Sequence, residues 1–188
     1  MSHEQIRYQD ASTELQSLYD EISIEFKLTG PPNWATYLGN KPSVLRGVWQ
    51  LYTGIVIDGT LPPLLQELII FSVSKEQGSA YCAEFHASSI QKLSPQLSYL
   101  DLVDIIDGKS RGVVPERYIM AINIAIQLNR SPCPVPSKDA VFIKSDKFSL
   151  KEHVEIAGLV ALAITFNMHA KTISIPIDST HRVEGFYL

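Results

Sequence analysis

Most of what would mark a specialised chain is scarce in this sequence. It holds two cysteines, three methionines and two tryptophans among 188 residues. Two thiols cannot build a disulfide framework. Charged residues make up only 19%, and 16 Lys plus Arg against 20 Asp plus Glu leave a net charge of −4. The densest basic cluster is Lys109-Ser110-Arg111, so nucleic-acid binding, which draws its affinity from clustered cations, is disfavoured. The longest apolar stretch, Ile156 to Phe166, is about half of the ~20 residues that cross a bilayer. It reads as a core helix, and no membrane partner is expected. The first residues lack the basic and apolar regions of a signal peptide, so the expectation is a cytoplasmic protein with reduced thiols. No Gly-rich phosphate loop and no His-Glu-x-x-His spacing occurs, so neither a nucleotide cofactor nor a metal is expected.

What is present is a 45% hydrophobic chain, long enough for one well-filled core, and helical spacing dominates it. Between Ser12 and Phe26 the apolar residues Leu15, Leu18, Tyr19, Ile22 and Phe26 recur at steps of three and four, a stripe on one helical face. Pro42 and Gly59 bracket a second helix, with Val44, Val48, Leu51, Tyr52 and Ile55 as its expected inward stripe. Thr60 is expected to cap a third helix that runs through Glu67 to about Lys75, and Ser79 a fourth that extends to about Lys92. Shorter helices follow, from about Leu97 to Ile106 and from Pro115 through Leu128. The proline-rich run around Cys133 reads as a stiff loop. Ser149 and Glu152 have capping-box spacing and open the most apolar helix, to about Ala170. The reading is one all-α domain over residues 1–188. Because Ile156 to Phe166 is apolar nearly all round, a homo-oligomer is expected.

The chemistry-bearing residues cluster in the middle of the chain. Cys82 and His86 are four apart in a helical segment, hence on one face. The first-turn position of Cys82 and a nearby imidazole would both favour a thiolate. The competing reading is a small core cysteine beside a satisfied polar group. Glu67 is a carboxylate in a very apolar stretch; it is either solvated at the edge of its helix or turned inward onto a partner. Glu84 is expected to face solvent. Trp34, Tyr37, Trp49 and Tyr52 read as core. His153 and His169, far apart on the last helix, read as satisfied or solvated.

Glu67, followed by Ser79-Ala80-Tyr81-Cys82-Ala83-Glu84-Phe85-His86, resembles the signature of the alkylhydroperoxidase D and carboxymuconolactone decarboxylase superfamily. That signature is a glutamate, eleven residues, then Cys-x-x-Cys and a histidine four residues on. Here Ser79 stands at the first cysteine and Tyr81 just before the second. The flanks Pro42 to Trp49 and Gly59 to Leu68, with Tyr118 to Leu128 and Glu152 to His169, resemble helices of its peroxidase-related branch, so the likeness covers most of the chain.

The resemblance implies an alkylhydroperoxidase D-like helical bundle that assembles as a homo-oligomer. It also implies a thiol-dependent peroxidase in which the Cys82 thiolate reduces a hydroperoxide, with Glu67 and His86 as a proton relay. Ser79 cannot form the disulfide that the signature's first cysteine would. The sulfenic acid left on Cys82 would then need an external thiol reductant, or Cys133 as a resolving thiol. Ser79 is read as a helix cap in preference to a partner of the thiolate. Two other functions stay open: a lactone enzyme of the carboxymuconolactone decarboxylase type, and a non-catalytic oligomeric redox sensor.

Overall fold

The computed structural model describes residues 4–109, 112–130, 147–183 and 186. Among these the regular elements are helices without a strand. In chain order they are α1 (Thr13–Glu25), α2 (Asn33–Leu38), α3 (Pro42–Tyr52), α4 (Pro63–Glu76), α5 (Ala80–Leu93), α6 (Tyr99–Ile106), α7 (Glu116–Arg130) and α8 (Leu150–Thr172). A π-helical turn, Thr53–Ile57, follows α3, and short 3-10 turns lie at Tyr8–Asp10 and Ser179–His181.

The helix boundaries follow from local chemistry. Ser12 accepts from the Leu15 N–H at the start of α1, and Ser98 and Ser149 each close a capping box, with Asp101 and Glu152 respectively. Prolines in the first turn open α3 and α4. The periodicity of α1 is as expected, with Leu15, Leu18, Tyr19 and Ile22 buried. The stripe of α3 is rotated by one residue from its expected position: Leu45, Val48, Trp49 and Tyr52 are buried, while Val44 and Leu51 are exposed. The aromatic residues Trp49 and Tyr52 decide the orientation, because ring burial contributes more than burial of Val44 would. Helix α2, six residues after the Pro31-Pro32 stop, is too short to carry a periodic signal.

Helix α4 is the core helix, with Leu65, Leu68, Ile69, Ile70, Phe71 and Val73 all at most 2% exposed. It packs between α5, α7 and α8. Helix α8 runs parallel to it and is pinned at both ends. Near its start the Glu155 carboxylate accepts the Thr60 and Leu61 N–H groups and the Thr60 hydroxyl. Near its end Lys171 Nζ donates to the Gln77 carbonyl at 2.8 Å. Thr60 is therefore not the cap of α4, whose first turn is set by Pro62 and Pro63. By length and composition α8 alone among the described helices could cross a membrane. It buries Ile156, Leu159, Leu162 and Ala163 inside the bundle, as a core helix does.

Candidate active site

The helices α4 and α5 form an antiparallel hairpin, and its turn brings Glu67 and the Cys82 region together. Gly78 takes a left-handed φ of 65°, a conformation open to glycine at little cost. The N–H groups of Gly78 and Ser79 bond back to the carbonyls of Lys75 and Ser74, at 3.0 Å each. The chain thus reverses within three residues, and two turns into α5 the imidazole of His86 meets the carboxylate of Glu67. Their Nδ1 to Oε2 distance is 2.6 Å. The two side chains are only 11% and 15% exposed, so of the two readings for Glu67 the inward one is correct. A His ring held through Nδ1–H by a carboxylate leaves Nε2 as its acceptor atom.

Cys82 and His86 share the wall of a cavity of about 20 Å³, room for about one water-sized molecule. Phe26, Trp34, Tyr52, Phe85 and Phe166 supply aromatic surface to the same cavity. Trp34 meets Phe166 edge-on at 5.0 Å, and Phe26 meets Phe85 edge-on at 5.6 Å. Trp34 and Tyr52 are thus core residues that also line the site, a double role that periodicity does not reveal.

The thiol itself departs from expectation. Cys82 is 4% exposed, and burial pushes it up to about 11, with the Ser79 hydroxyl pulling in the opposite direction. The first-turn position does not produce a resting thiolate, because desolvation of the anion outweighs the favourable dipole. Ser79 is the N-cap residue of α5 by position, but its side chain makes no capping hydrogen bond. The expected capping bond is not made: the buried Ser79 hydroxyl has no hydrogen-bond partner among the described residues, and it lies close enough to the sulfur to lower its ionisation. Cys133 lies outside the described residues.

Tyr81, a sixth aromatic residue of the cavity, is tied to the end of the chain. Its phenol donates to Asp178 Oδ2 at 2.6 Å and accepts from the Trp34 N–H at 3.3 Å. Burial and the neighbouring Asp178 raise its ionisation well above the ordinary range. Glu84, expected in solvent, is 1% exposed and accepts the Val183 N–H at 3.0 Å. The solvent reading failed because the segment from Ile173 onward folds back over α5 and covers that face.

This segment also delivers a residue that sequence reasoning missed. His181 is 3% exposed and stacks on Phe85, with ring centroids 4.0 Å apart and planes 13° from parallel. Burial and nearby Lys92 lower its ionisation to about 4, so the ring is neutral near neutral pH. Nothing in the local pattern around His181 signals a contact with a residue almost a hundred positions earlier.

The arrangement is a helical hairpin carrying a buried carboxylate–imidazole pair beside a thiol-lined cavity, in an all-α bundle of the alkylhydroperoxidase D-like fold. Residues 42–92 match the model of the Carboxymuconolactone decarboxylase family, and solved structures of this fold superpose along nearly the whole chain. The likeness to these structures is one of fold, and the family match lies on the segment that carries Glu67, Cys82 and His86. A peroxidase-related protein of Ralstonia eutropha JMP134, described as an alkylhydroperoxidase AhpD core, superposes with a TM-score of 0.81 at 17% identity, over 95% of this chain and 92% of that one. A peroxidase-related protein of Silicibacter sp. TM1040 gives 0.75 at 17%, over 96% and 93%. The debrominase Bmp8, as a cysteine-to-alanine variant in complex with 2,3,4-tribromopyrrole, gives 0.77 at 18%, over 96% and 93%. No curated protein matches the sequence.

Proposed function

We propose that this protein is a thiol-dependent peroxidase with Cys82 as the nucleophile, His86 as the base and Glu67 as the group that orients and charge-balances His86. The observation that carries this reading is the buried 2.6 Å Glu67–His86 pair beside the cavity shared by His86 and Cys82. Because the resting thiol is neutral, proton removal accompanies attack instead of preceding it. His86 Nε2 takes the thiol proton as the sulfur attacks one peroxide oxygen. The S–O bond forms, the O–O bond breaks, and the leaving oxygen takes the proton from His86 to depart as water or an alcohol. Cys82 is left as sulfenic acid. A first external thiol displaces water from it to give a mixed disulfide, and a second releases the Cys82 thiol and a low-molecular-weight disulfide. Ser79 supplies a hydroxyl near the sulfur but no second thiol. A cavity of about 20 Å³ favours hydrogen peroxide over bulky hydroperoxides.

A second reading is supported by the aromatic lining. Six aromatic side chains around a thiol suit a flat, halogenated ring, the class of ligand seen in the debrominase. The wall would have to open for such a ring to enter. Lactone chemistry on an anionic acid is poorly supported, since among the described residues no Lys or Arg lines the cavity. The homo-oligomer remains part of the proposal, and the exposed Leu150, Val154 and Met168 on the outer face of α8 support it.

The test is consumption of hydrogen peroxide with dithiothreitol as reductant by the full chain, its Cys82→Ser variant and its Cys133→Ser variant. The expected result is activity in the parent and in Cys133→Ser and none in Cys82→Ser. Full activity in Cys82→Ser would reject the mechanism.

A further inference from the structure

Three residues of the cavity at Cys82 are held from behind by a part of the chain remote from the signature, the segment that follows α8. After Thr172 the chain leaves the helix and returns to α2 and α5. Ile175 and Val183 are buried, and between them every anchor falls on an element that lines the cavity. Asp178 accepts from the Asn33 N–H at 2.9 Å through Oδ1 and from the Tyr81 hydroxyl at 2.6 Å through Oδ2. The same tyrosine oxygen accepts the Trp34 N–H. One carboxylate therefore ties together the first turn of α2, which carries Trp34, and the first turn of α5, which carries Cys82. A second anchor, Asn33 Nδ2 to the Pro176 carbonyl at 2.9 Å, doubles this attachment. On the other side, His181 lies flat on the ring of Phe85, a residue that lines the cavity.

Such attachments hold a wall in place, because the Tyr81 hydroxyl and the Trp34 N–H that they join are buried and would be left unpaired away from water on release. Trp34, Tyr81 and Phe85 are the three cavity residues so held. The anchors reach α2 and the first two turns of α5, and the Glu67–His86 hydrogen bond is not among them. The tail thus acts on the width of the site through Trp34, Tyr81 and Phe85, the last of which also meets the His86 ring at 5.5 Å.

Resting on the reading of Cys82 as the reacting group, we propose that the segment Ile173–Val183 sets the size of molecule that reaches Cys82, with Asp178 and His181 as its specificity-determining residues. In the parent the tail restricts the site to a peroxide of about the size of hydrogen peroxide. Loosening it admits bulky aromatic hydroperoxides and disulfides.

The experiment compares Cys82 modification by methyl methanethiosulfonate, which is small, and by a nitroaromatic disulfide, which is bulky, in a Cys133→Ser background. Asp178→Ala and His181→Ala are each expected to raise the bulky-to-small rate ratio by about tenfold or more. His181→Phe, which keeps a flat ring on Phe85, is expected to stay within about twofold of the parent. A rise below about tenfold in both alanine variants, or an equal rise in His181→Phe, overturns the assignment. Should Asp178→Ala fail to fold by circular dichroism, the His181 pair decides alone. Labelling does not depend on turnover: a parent that consumes no peroxide would reject the peroxidase reading and leave the size ratio to be judged separately.

Discussion

His86 Nδ1 lies 2.6 Å from Glu67 Oε2 although the residues belong to different helices. The contact fixes the imidazole in the orientation that leaves Nε2 free to accept a proton, and it supplies a negative charge for the imidazolium formed during attack. His86→Ala is therefore expected to lower peroxide consumption by roughly 10²- to 10⁴-fold, the usual worth of a positioned base. Glu67→Gln preserves a hydrogen-bond acceptor but not the charge, and its loss should be smaller. Steady-state assays near neutral pH check both, and a Glu67→Gln defect larger than that of His86→Ala would be inconsistent with the relay.

The Cys82 thiol makes a prediction about pH. Pushed up to about 11 by burial, against ~8.5 for a free cysteine, it has a thiolate fraction near neutrality lower by about 300-fold. Its alkylation by iodoacetamide should be slow at pH 7 and climb about tenfold per pH unit to about pH 11, in a Cys133→Ser background. Because the folded-state value is raised, the thiol's contribution to stability is complete below the unfolded value and declines as pH rises through 11. Ser79→Ala removes the group that favours the anion, so its alkylation profile should move further to alkaline pH. A profile that levels off near pH 7 would mean the sulfur is not buried as described.

The signature was legible because it is local. Cys82 and His86 lie one helical turn apart, and a turn with Gly78 between two helical segments leads to a hairpin that pairs them with Glu67. The capping box at Ser149 was of the same kind, a short-range pair of hydrogen bonds written in residues three apart. What periodicity could not show was the tail. Glu84 read as solvent because its cover comes from Val183, and His181 carried no signal because its stacking partner lies on another element. The raised thiol was hidden for a related reason: the helix dipole is a local effect visible in sequence, whereas desolvation depends on Trp34, Tyr52 and Phe166, which arrive from three other helices.

His181 should reveal itself in acid. Its ionisation is lowered to about 4 in the folded chain, against ~6.5 when unfolded, so its contribution to stability is present above pH 6.5 and is lost as pH falls toward 4. The loss is at most roughly 3 to 4 kcal/mol, since each pH unit of difference is worth ~1.4 kcal/mol. Urea midpoints measured between pH 7 and pH 4 are expected to fall less steeply in His181→Phe than in the parent. Parallel acid profiles in the two proteins would show that His181 is not buried as a neutral ring.

Gly78 is the hinge on which the site is built. A φ of 65° disfavours any residue with a Cβ, by about 1–2 kcal/mol, although open space surrounds the position. Gly78→Ala should therefore lower unfolding stability by about that amount through backbone strain alone, while the folded fraction keeps its Glu67–His86 contact and its activity. Gly78→Asn, which tolerates the left-handed region better, should lose less. Chemical denaturation of the three proteins gives the order, and an alanine variant as stable as the parent would mean that the turn relaxes to a different geometry.

The outer face of α8 makes a prediction about assembly. Leu150, Val154 and Met168 are 81%, 66% and 60% exposed, and with Ala157 and Ala161 between them they form an apolar stripe along one side of a 23-residue helix. Scattered exposed apolar residues are ordinary, but a stripe of this length on one helix face is a place where a second copy would bury area. Small residues at its centre would let two such helices approach closely. Val154→Glu and Met168→Glu place charges in the stripe without altering the buried face of Ile156, Leu159 and Leu162. If α8 mediates self-association, sedimentation velocity should show the parent as an oligomer and the double variant shifted to monomer, with helicity retained. A parent that sediments as a monomer would remove oligomerisation from the proposal, and an oligomer indifferent to both charges would place the interface on another face.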